Sequence, residues 1–506
     1  MSMALARAWS VRRLPAEWEP VGAVLLAWPR ADGDWAPYLQ EVRACYRRLL
    51  AALTALVPVL LLVDEPDRVR LELGPELAAL TRQPFSPPGS ASASGSVGDG
   101  GAAREPSSSG SAAGEPSTAM PATPRLRLLA SPARDTWTRD YGPITVLVES
   151  EPSAGPAGRS AIDAALADPT DSAPPAPGSA AARQAQPLLL NFAFNGWGGK
   201  YASAGDDAAS RALHASGALG PVPLERHALV LEGGSIESDG RGTLLTTSTC
   251  LLAPSRNPQL DRSTLEAELK RLLGVERVLW LEQEALAGDD TDAHIDTLVR
   301  FCPNDTLIYV QRDPTPAPPH SAALAPTTGD RDAGTNAVER SAGLDGEERV
   351  RGPEERSGLV SADQDREASS HGWSPSGSGE RRTASAQPRD AQPGAAPPGS
   401  RLELQLRALR TAGGQPYRLV PLPPGPARHA PDDGRPLPAT YANALFLNGT
   451  VLLPVYGDPE RDAAAVAAWR QACPEWRIQA LDCSALLLQH GSLHCATMQI
   501  PAAVFG

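Results

Sequence analysis

The chain has 506 residues, with 46 Lys and Arg against 59 Asp and Glu, so its formal net charge at pH 7 is −13. This acidic balance argues against a nucleic-acid partner, which usually requires a basic face, and it suits a cationic substrate. Residues 1–14 lack an apolar run of secretory length, and no segment approaches the roughly 20 apolar residues of a membrane span. We therefore expect a cytoplasmic protein that binds neither nucleic acid nor membrane.

The cysteines are scattered and form no C-x-x-C pair, so the sequence predicts neither a zinc site nor a disulfide framework. A reducing compartment, in which free thiols persist, is the matching expectation. The cysteines are Cys45, Cys250, Cys302, Cys473, Cys483 and Cys495.

Apolar runs and helical spacing predict an α/β chain that begins with strand, helix and strand. Asp261 and Gly274 are typical of a helix start and stop, and Asn448-Gly449 predicts a hairpin turn. Helices are predicted at residues 38–56, 261–273, 402–409 and 459–472. Strands are predicted at residues 21–28, 57–63, 126–129, 144–148, 188–194, 227–238, 244–252, 278–281, 297–302, 306–310, 417–421, 442–447, 451–456 and 476–482.

Three tracts rich in Ser, Gly, Ala and Pro interrupt this pattern, at residues 84–123, 150–186 and 313–400. They contain too few large apolar residues to offset the entropy of ordering, so we expect disordered inserts. Loop closure costs grow only slowly with length, which favours one interrupted domain over several domains. In the remaining chain a strand–strand–helix–strand order recurs, which hints at a repeat of propeller or barrel type.

Polar residues that can carry chemistry concentrate at four strand ends. Residues 135–143 include Trp137 and Asp140, residues 231–238 include Glu232, residues 288–296 include His294 and Asp296, and a glycine-led turn near the C-terminus carries Cys495. The alternation of His294 and Asp296 predicts that both face one way on a strand. Each residue also has a structural explanation. His294 could be a hydrogen-bonded core residue or a metal ligand, Asp140 could pair with Arg139, and Cys495 could be a small buried group.

The combination of a thiol, a histidine and several carboxylates favours one substrate class. Carboxylates would repel the oxyanion that develops in acyl transfer. A guanidinium is permanently cationic and pairs bidentately with carboxylates. A thiolate can attack its carbon while a histidine protonates the departing ammonia.

Several motifs together resemble the agmatine deiminase family, which stands beside the bacterial peptidylarginine deiminases in the guanidino-modifying superfamily. They are D-x-W-x-R-D-x-G-P at 135–143, FNGWGGK at 194–200, EGGSI at 232–236, D-x-HID at 292–296 and GSLHC at 491–495. The segments LPAEWEP at 14–20, YAN at 441–443 and P-x-YGD at 454–458 are also similar to that family.

The resemblance implies a five-bladed α/β propeller of ββαβ units and hydrolysis of a guanidine through a covalent amidino-cysteine, without cofactor or metal. Cys495 would be the nucleophile, His294 the acid and base, and Glu232 the residue that orients His294. The guanidinium would lie between Asp140 and Asp296, with Trp137 as a wall of the pocket.

The substrate that the family suggests first is agmatine, converted to N-carbamoylputrescine and ammonia on a route to putrescine. A peptidyl-arginine or another guanidine is the alternative, and the sequence does not assign the pocket for the far end of the substrate. A Cys–His amidase or protease and a non-catalytic binder are alternatives of other classes. A homo-oligomer and a role for His494 beyond packing are left open.

Overall fold

The computed structural model describes residues 11–83, 124–149, 185–282, 285–311 and 400–506. All of them belong to one compact unit of contacts. Within these residues no helix has the length and apolar character needed to cross a membrane. The inserts predicted at 84–123, 150–186 and 313–400 lie outside the described residues, except for positions 185, 186 and 400. Gln186 belongs to a strand and Ser400 caps a helix, so these two positions are ordered, contrary to the prediction.

The described residues form a mixed α/β fold. Its strands are β1 Val11–Arg13, β2 Val21–Ala27, β3 Val59–Val63, β4 Leu126–Ala130, β5 Ile144–Glu149, β6 Gln186–Ala193, β7 Leu224–Val230, β8 Ile236–Ser238, β9 Thr243–Thr247, β10 Arg277–Leu281, β11 Val299–Cys302, β12 Thr306–Val310, β13 Arg418–Leu422, β14 Arg428–His429, β15 Pro436–Leu437, β16 Leu445–Leu447, β17 Thr450–Val455, β18 Arg477–Asp482 and β19 Met498–Pro501. Its α-helices are α1 Leu39–Thr54, α2 Pro66–Glu72, α3 Pro75–Leu80, α4 Thr138–Tyr141, α5 Gly196–Gly199, α6 Ala204–Ala215, α7 Ser248–Leu251, α8 Arg262–Leu273, α9 Arg401–Ala408 and α10 Pro459–Ala472. Of these, α5 is a single turn whose residues all have positive φ values.

Five sheets share one arrangement, in which a central strand pairs antiparallel with one neighbour and, after a crossover, parallel with the strand that follows it. In four of them the antiparallel partner directly precedes the central strand, and in the fifth it is the C-terminal strand β19. The central strands of these sheets are β2, β6, β9, β12 and β17. In the simplest unit, β16 and β17 pair antiparallel, α10 crosses over, and β18 pairs parallel to β17. The predicted recurrence of strand, strand, helix and strand is therefore present as a repeated connectivity.

Local signals placed several elements correctly. The Asp261 side chain accepts a hydrogen bond from the Thr264 N–H, and Gly274 ends α8 with a left-handed φ of 68°. Asn448 and Gly449 have φ values of 44° and 81° and form the two-residue turn between β16 and β17. Such a turn requires positive φ at both positions, which Asn and Gly tolerate best.

Two strands predicted as continuous are interrupted. The strand predicted at 227–238 breaks after Val230 into a 3-10 turn at Gly233–Ser235. A methyl group on Gly233 would lie 2.2 Å from the carbonyl oxygen of Arg139, so the close packing of these two segments requires glycine. The strand predicted at 244–252 ends at Thr247, whose side chain caps α7 by accepting from the Cys250 N–H.

The two ends of the described chain meet in one sheet. β19 pairs antiparallel with β2, with Met498 opposite Leu25, and β2 continues parallel to β3 and β4. The sequence did not predict β19. Its pairing fixes the segment that follows Cys495 against the buried strand β2, which brings the C-terminal turn to the centre of the fold.

Candidate active site

Cys495 lies in a buried turn that docks on helix α4. The Arg139 N–H donates to the carbonyl oxygen of Cys495 at 3.1 Å. The Thr138 hydroxyl donates to the carbonyl oxygen of Ala496 at 3.1 Å. These bonds join the predicted segment 135–143 to the predicted cysteine turn, so two of the four polar clusters meet directly.

Asn443 holds the nucleophile from the other side. Its Oδ1 accepts from the backbone N–H of His494 at 2.9 Å and of Cys495 at 3.3 Å. Its Nδ2 donates to the Cys495 Sγ and to the Asp296 Oδ2, both at 3.2 Å. A donor aimed at the sulfur favours the thiolate form. The sequence had assigned no role to Asn443, although it lies in the YAN motif.

Asp140 projects from α4 into the same pocket with both carboxylate oxygens engaged. Its Oδ1 accepts from the Gly234 N–H and its Oδ2 from the Trp197 Nε1, both at 3.0 Å. Arg139 pairs instead with Glu17 at 3.1 Å. The structural alternative for Asp140, an ion pair with its neighbour Arg139, is therefore not the arrangement observed.

His294 and Asp296 do not lie on a strand, contrary to the prediction. His294 precedes a 3-10 turn at Ile295–Thr297 that contains Asp296. Both side chains still converge with Asp140 around Gly234. A methyl group placed on Gly234 would lie 2.7 Å from the His294 Nδ1, 2.8 Å from the Asp140 Oδ1 and 3.1 Å from the Asp296 Oδ2. The turn, rather than strand alternation, brings them together.

Three buried polar atoms at this point have no hydrogen-bond partner within the described residues. They are the two ring nitrogens of His294 and the Asp296 Oδ1. Buried polar atoms are nearly always paired in folded proteins, and exceptions cluster at functional sites. These atoms are therefore free to contact a substrate, and His294 is not the hydrogen-bonded core residue of the structural alternative.

Glu232 does not orient His294 by a hydrogen bond. Both of its carboxylate oxygens accept from the Arg256 Nε, at 2.9 and 3.0 Å. Glu232, Cys250 and His294 have potential ligand atoms within 4.8 Å of one another. Arg256 makes a metal ion at this point unfavourable. Its buried guanidinium would repel a cation and already pairs with the Glu232 carboxylate. The sequence reasoning missed Arg256, which follows no recognisable motif.

Burial and the crowding of carboxylates set the protonation states. Burial raises the pKa of Cys495 well above its ordinary value, and the charges of Asp296 and Asp140 raise it further. Burial lowers the pKa of His294 to about 3. Burial and the charges of Asp296 and Glu232 raise the pKa of Asp140. Without substrate the site therefore holds a neutral thiol beside a neutral imidazole.

Trp137 lines the pocket, as predicted, and packs on the cysteine turn. A methyl group at Gly491 would lie 2.5 Å from two ring atoms of Trp137, so the indole lies directly on that glycine. The ring centroid of Trp35 is 5.9 Å from that of Trp137. The residues that line the pocket are Asp34, Trp35, Asp135, Trp137, Asp140, Trp197, Tyr201, Asp290, Thr291, Gln489, His490, Gly491 and Cys495.

Comparison with known proteins places the chain in a family. Residues 13–340 and 383–501 match the family described as Porphyromonas-type peptidyl-arginine deiminase. The chain is 27% identical to a "Putative agmatine deiminase" from Vibrio parahaemolyticus, over 96% of each chain. It is 32% identical to the crystal structure of a "Putative Arginine Deiminase" from Porphyromonas gingivalis, with a TM-score of 0.61 over 97% of this chain and 98% of that one.

The agmatine deiminase of C. jejuni with substrate bound shares the fold, with a TM-score of 0.60 at 21% identity over 97% of this chain and 96% of that one. The fold, the buried thiol and the family match all point to the same class of enzyme. The protein is an enzyme that acts on a guanidino C–N bond, and it belongs to the Porphyromonas-type peptidyl-arginine deiminase family.

Proposed function

We propose that the protein hydrolyses agmatine to N-carbamoylputrescine and ammonia, with Cys495 as nucleophile. The observation that carries this proposal is the convergence of Asp140, Asp296 and His294 around Gly234, beside the Cys495 thiol. The Cys495 Sγ lies 3.7 Å from the Asp296 Oδ2. Two carboxylates in a buried pocket match the forked donors of a guanidinium, and the thiol lies within reach of the carbon between them.

The proposed reaction begins when the guanidinium neutralises the two carboxylates. This lowers the pKa of the thiol, whose proton passes to His294 while sulfur attacks the guanidinium carbon. The C–S bond forms, the C–N bond breaks, and His294 returns the proton to the departing ammonia. His294 then takes a proton from water, and the resulting hydroxide adds to the amidino carbon. The C–S bond breaks to release the urea, the sulfur takes back the proton held by His294, and the proton of the added hydroxyl group passes to the released ammonia, which leaves as ammonium.

The lining of the outer pocket supports a substrate with a cationic far end. Asp34, Asp135 and Asp290 contribute carboxylates there, and the described residues that line the pocket include no Arg or Lys. Burial and the charge of Asp206 raise the pKa of Asp135 to about 8. An α-carboxylate would require a cationic partner, whereas the ammonium of agmatine meets anionic or ionisable groups. Free arginine and C-terminal arginine are therefore disfavoured.

An internal peptidyl-arginine is the second candidate, favoured by the description of the matching family. Its far end is a neutral backbone, which the acidic lining would attract less than an ammonium. A peptide would also have to fit beside Trp35 and Tyr201, which line the pocket. The acidic lining and these two aromatic side chains favour agmatine over a peptide.

We also propose a cellular setting and an arrangement of the sheets. All six cysteines are free thiols, which supports a reducing cytoplasm and a place on a route to putrescine. The repeated connectivity of five sheets supports a five-bladed propeller around the site. An experimental structure with the five sheets stacked in any non-radial order would contradict that arrangement.

A substrate panel tests the function. The purified protein is incubated with agmatine, free arginine and a blocked arginine amide, and ureido product is measured colorimetrically. We expect agmatine to give the highest kcat/KM and free arginine the lowest. Preference for the blocked amide would assign the enzyme to peptidyl-arginine, and absence of ureido product from all three would overturn the deiminase proposal.

A further inference from the structure

His494, the residue before the nucleophile, is buried between two carboxylates. Its Nδ1 lies 2.8 Å from the Asp296 Oδ2, and its Nε2 lies 2.6 Å from the Glu17 Oε1. An ionised carboxylate accepts hydrogen bonds but donates none, and a neutral imidazole carries only one N–H. With both carboxylates ionised, both contacts are hydrogen bonds only if both ring nitrogens carry a proton.

The surroundings of Glu17 favour its ionised form. Arg139 Nη1 donates to Glu17 Oε1 at 3.1 Å, and Arg300 Nη2 donates to Glu17 Oε2. Burial by itself would raise the pKa of Glu17, but the charges of Arg300, His494 and Arg139 lower it well below its ordinary value. Arg300 Nη2 also lies 3.1 Å from the His494 Nε2; it carries two N–H groups, of which one donates to Glu17 Oε2.

The other face of the imidazole meets the substrate-binding carboxylate. Burial by itself would raise the pKa of Asp296, but the hydrogen bond and charge of His494, together with the charges of His294 and Arg300, lower it below its ordinary value. Asp296 Oδ2 is thereby engaged by His494 and Asn443, while its Oδ1 is left for the substrate. His494 and Asp296 are faced by the following ionisable and charged groups: Cys495, His294, Asp140, Glu17, Arg139, Arg300 and, through Arg300, Glu237.

We propose that His494 is a positioning residue, held as an imidazolium between Asp296 and Glu17, which keeps Asp296 ionised and correctly turned before the guanidinium arrives. The inference rests on the roles proposed above for Cys495 and Asp296. It also gives a role to the LPAEWEP segment at residues 14–20, because Glu17 connects that segment to the active site through the His494 side chain.

The protonation state of His494 is the direct test. In substrate-free protein with ¹⁵N-labelled histidine, the His494 signals are assigned by their loss in His494→Gln. We expect two protonated ring nitrogens at pH 7.5, the signature of an imidazolium. A single protonated nitrogen would overturn the proposal. This readout needs no substrate, so it is independent of which guanidine the enzyme uses and of whether it turns one over.

A pH profile tests the consequence for catalysis. Glu17→Gln removes the charge that holds the imidazolium, so Asp296 becomes easier to protonate. The lower break of the acidic limb of kcat/KM, which Asp296 sets because its pKa lies below that of Asp140, therefore moves to higher pH. An opposite charge at this range typically lowers a carboxyl pKa by 1–3 units, so we expect a shift of about one pH unit or more. His494→Gln should shift the limb in the same direction.

The matched control is Glu19→Gln, which neutralises a carboxylate in the same segment that pairs with Arg13 rather than His494. We expect its acidic limb to stay in place. A purely structural defect would lower kcat/KM at every pH without moving the limb, so an unmoved limb in Glu17→Gln and His494→Gln contradicts the positioning role. If Glu17→Gln fails to fold, the NMR measurement on the wild-type protein still decides. If His494→Gln fails to fold, His494→Asn supplies the assignment of the His494 signals. Ureido product from the wild-type protein is measured first. If the wild-type protein makes none, the proposed function fails; if it is active and the limb does not move in the variants, only the positioning role of His494 fails.

Discussion

Trp197 holds Asp140 from a left-handed turn. Gly196, Trp197, Gly198 and Gly199 have φ values of 68°, 54°, 84° and 84°, and the Trp197 Nε1 donates to the Asp140 Oδ2 at 3.0 Å. A tryptophan at positive φ is strained, at a cost of order 1–3 kcal/mol, and such strain concentrates at functional sites. The flanking glycines make this turn feasible and direct the indole N–H into the pocket.

Trp197→Phe should weaken substrate binding without adding backbone strain, since phenylalanine is also a non-glycine residue at this φ. The change removes a donor that lowers the pKa of Asp140, against burial and the charges of Asp296 and Glu232, which raise it. The pKa of Asp140 therefore rises, and the upper break of the acidic limb of kcat/KM, which Asp140 sets, moves to higher pH. A complete pH profile measures this shift, and a limb that moves to lower pH would contradict it.

Cys495→Ser should abolish turnover, by about 10³-fold or more, and leave the fold intact, because a serine hydroxyl in this pocket is a far weaker nucleophile. Turnover and thermal unfolding are measured side by side. Cys483→Ser is the matched control, since Cys483 is also buried but lies outside the pocket lining. Loss of activity in the control with full activity in Cys495→Ser would show that the wrong cysteine was chosen.

Gly234→Ala should block the site where the substrate-binding groups converge. Its methyl group would lie 2.7 Å from the His294 Nδ1 and 2.8 Å from the Asp140 Oδ1, so these groups must move or the guanidinium is excluded. We expect at least about a tenfold loss in kcat/KM, equivalent to 1.4 kcal/mol. Gly413→Ala is the control, because its nearest atom would be 3.8 Å away. Unchanged kinetics in Gly234→Ala would contradict the proposed site.

Alkylation of Cys495 should be slow at pH 7 in the substrate-free enzyme. Burial and the charges of Asp296 and Asp140 raise the pKa of this thiol, so the reactive thiolate is scarce at pH 7 and increases as the pH rises. The rate of iodoacetamide modification, followed by mass spectrometry of the Cys495 peptide, should still be rising above pH 9. A plateau near pH 7 would indicate a preformed thiolate and contradict this account.

Asp34→Asn should weaken recognition of the far end of agmatine. An exposed charge pair contributes about 0.2–1 kcal/mol, so KM for agmatine should rise by up to about fivefold. KM for butylguanidine, which lacks the ammonium, should not change. Asp67→Asn removes another exposed charge, outside the pocket lining, and serves as the control. Equal changes in KM for both substrates would argue against an ammonium site at Asp34.

Local sequence signals predicted most of the strands, and the motifs nominated the candidate site residues. The Asn448-Gly449 hairpin and the capped helix α8 depend on neighbouring residues and were predicted correctly. Strand β19 and the break after Val230 were not, because β19 depends on pairing with β2 and the break on packing against Arg139. Propensity and spacing carry no information on such distant partners.

The sequence by itself determined the chemical inventory of this protein: a thiol, a histidine and carboxylates in glycine-rich segments whose order matches one family. Only the tertiary structure decided how they are connected. Glu232 contacts Arg256 rather than His294, Asn443 holds the thiol, and His494 joins Asp296 to Glu17. The Glu17–His494 contact spans 477 positions of the chain. Hydrogen bonds at that separation are set by the packing of whole sheets, which no local pattern encodes.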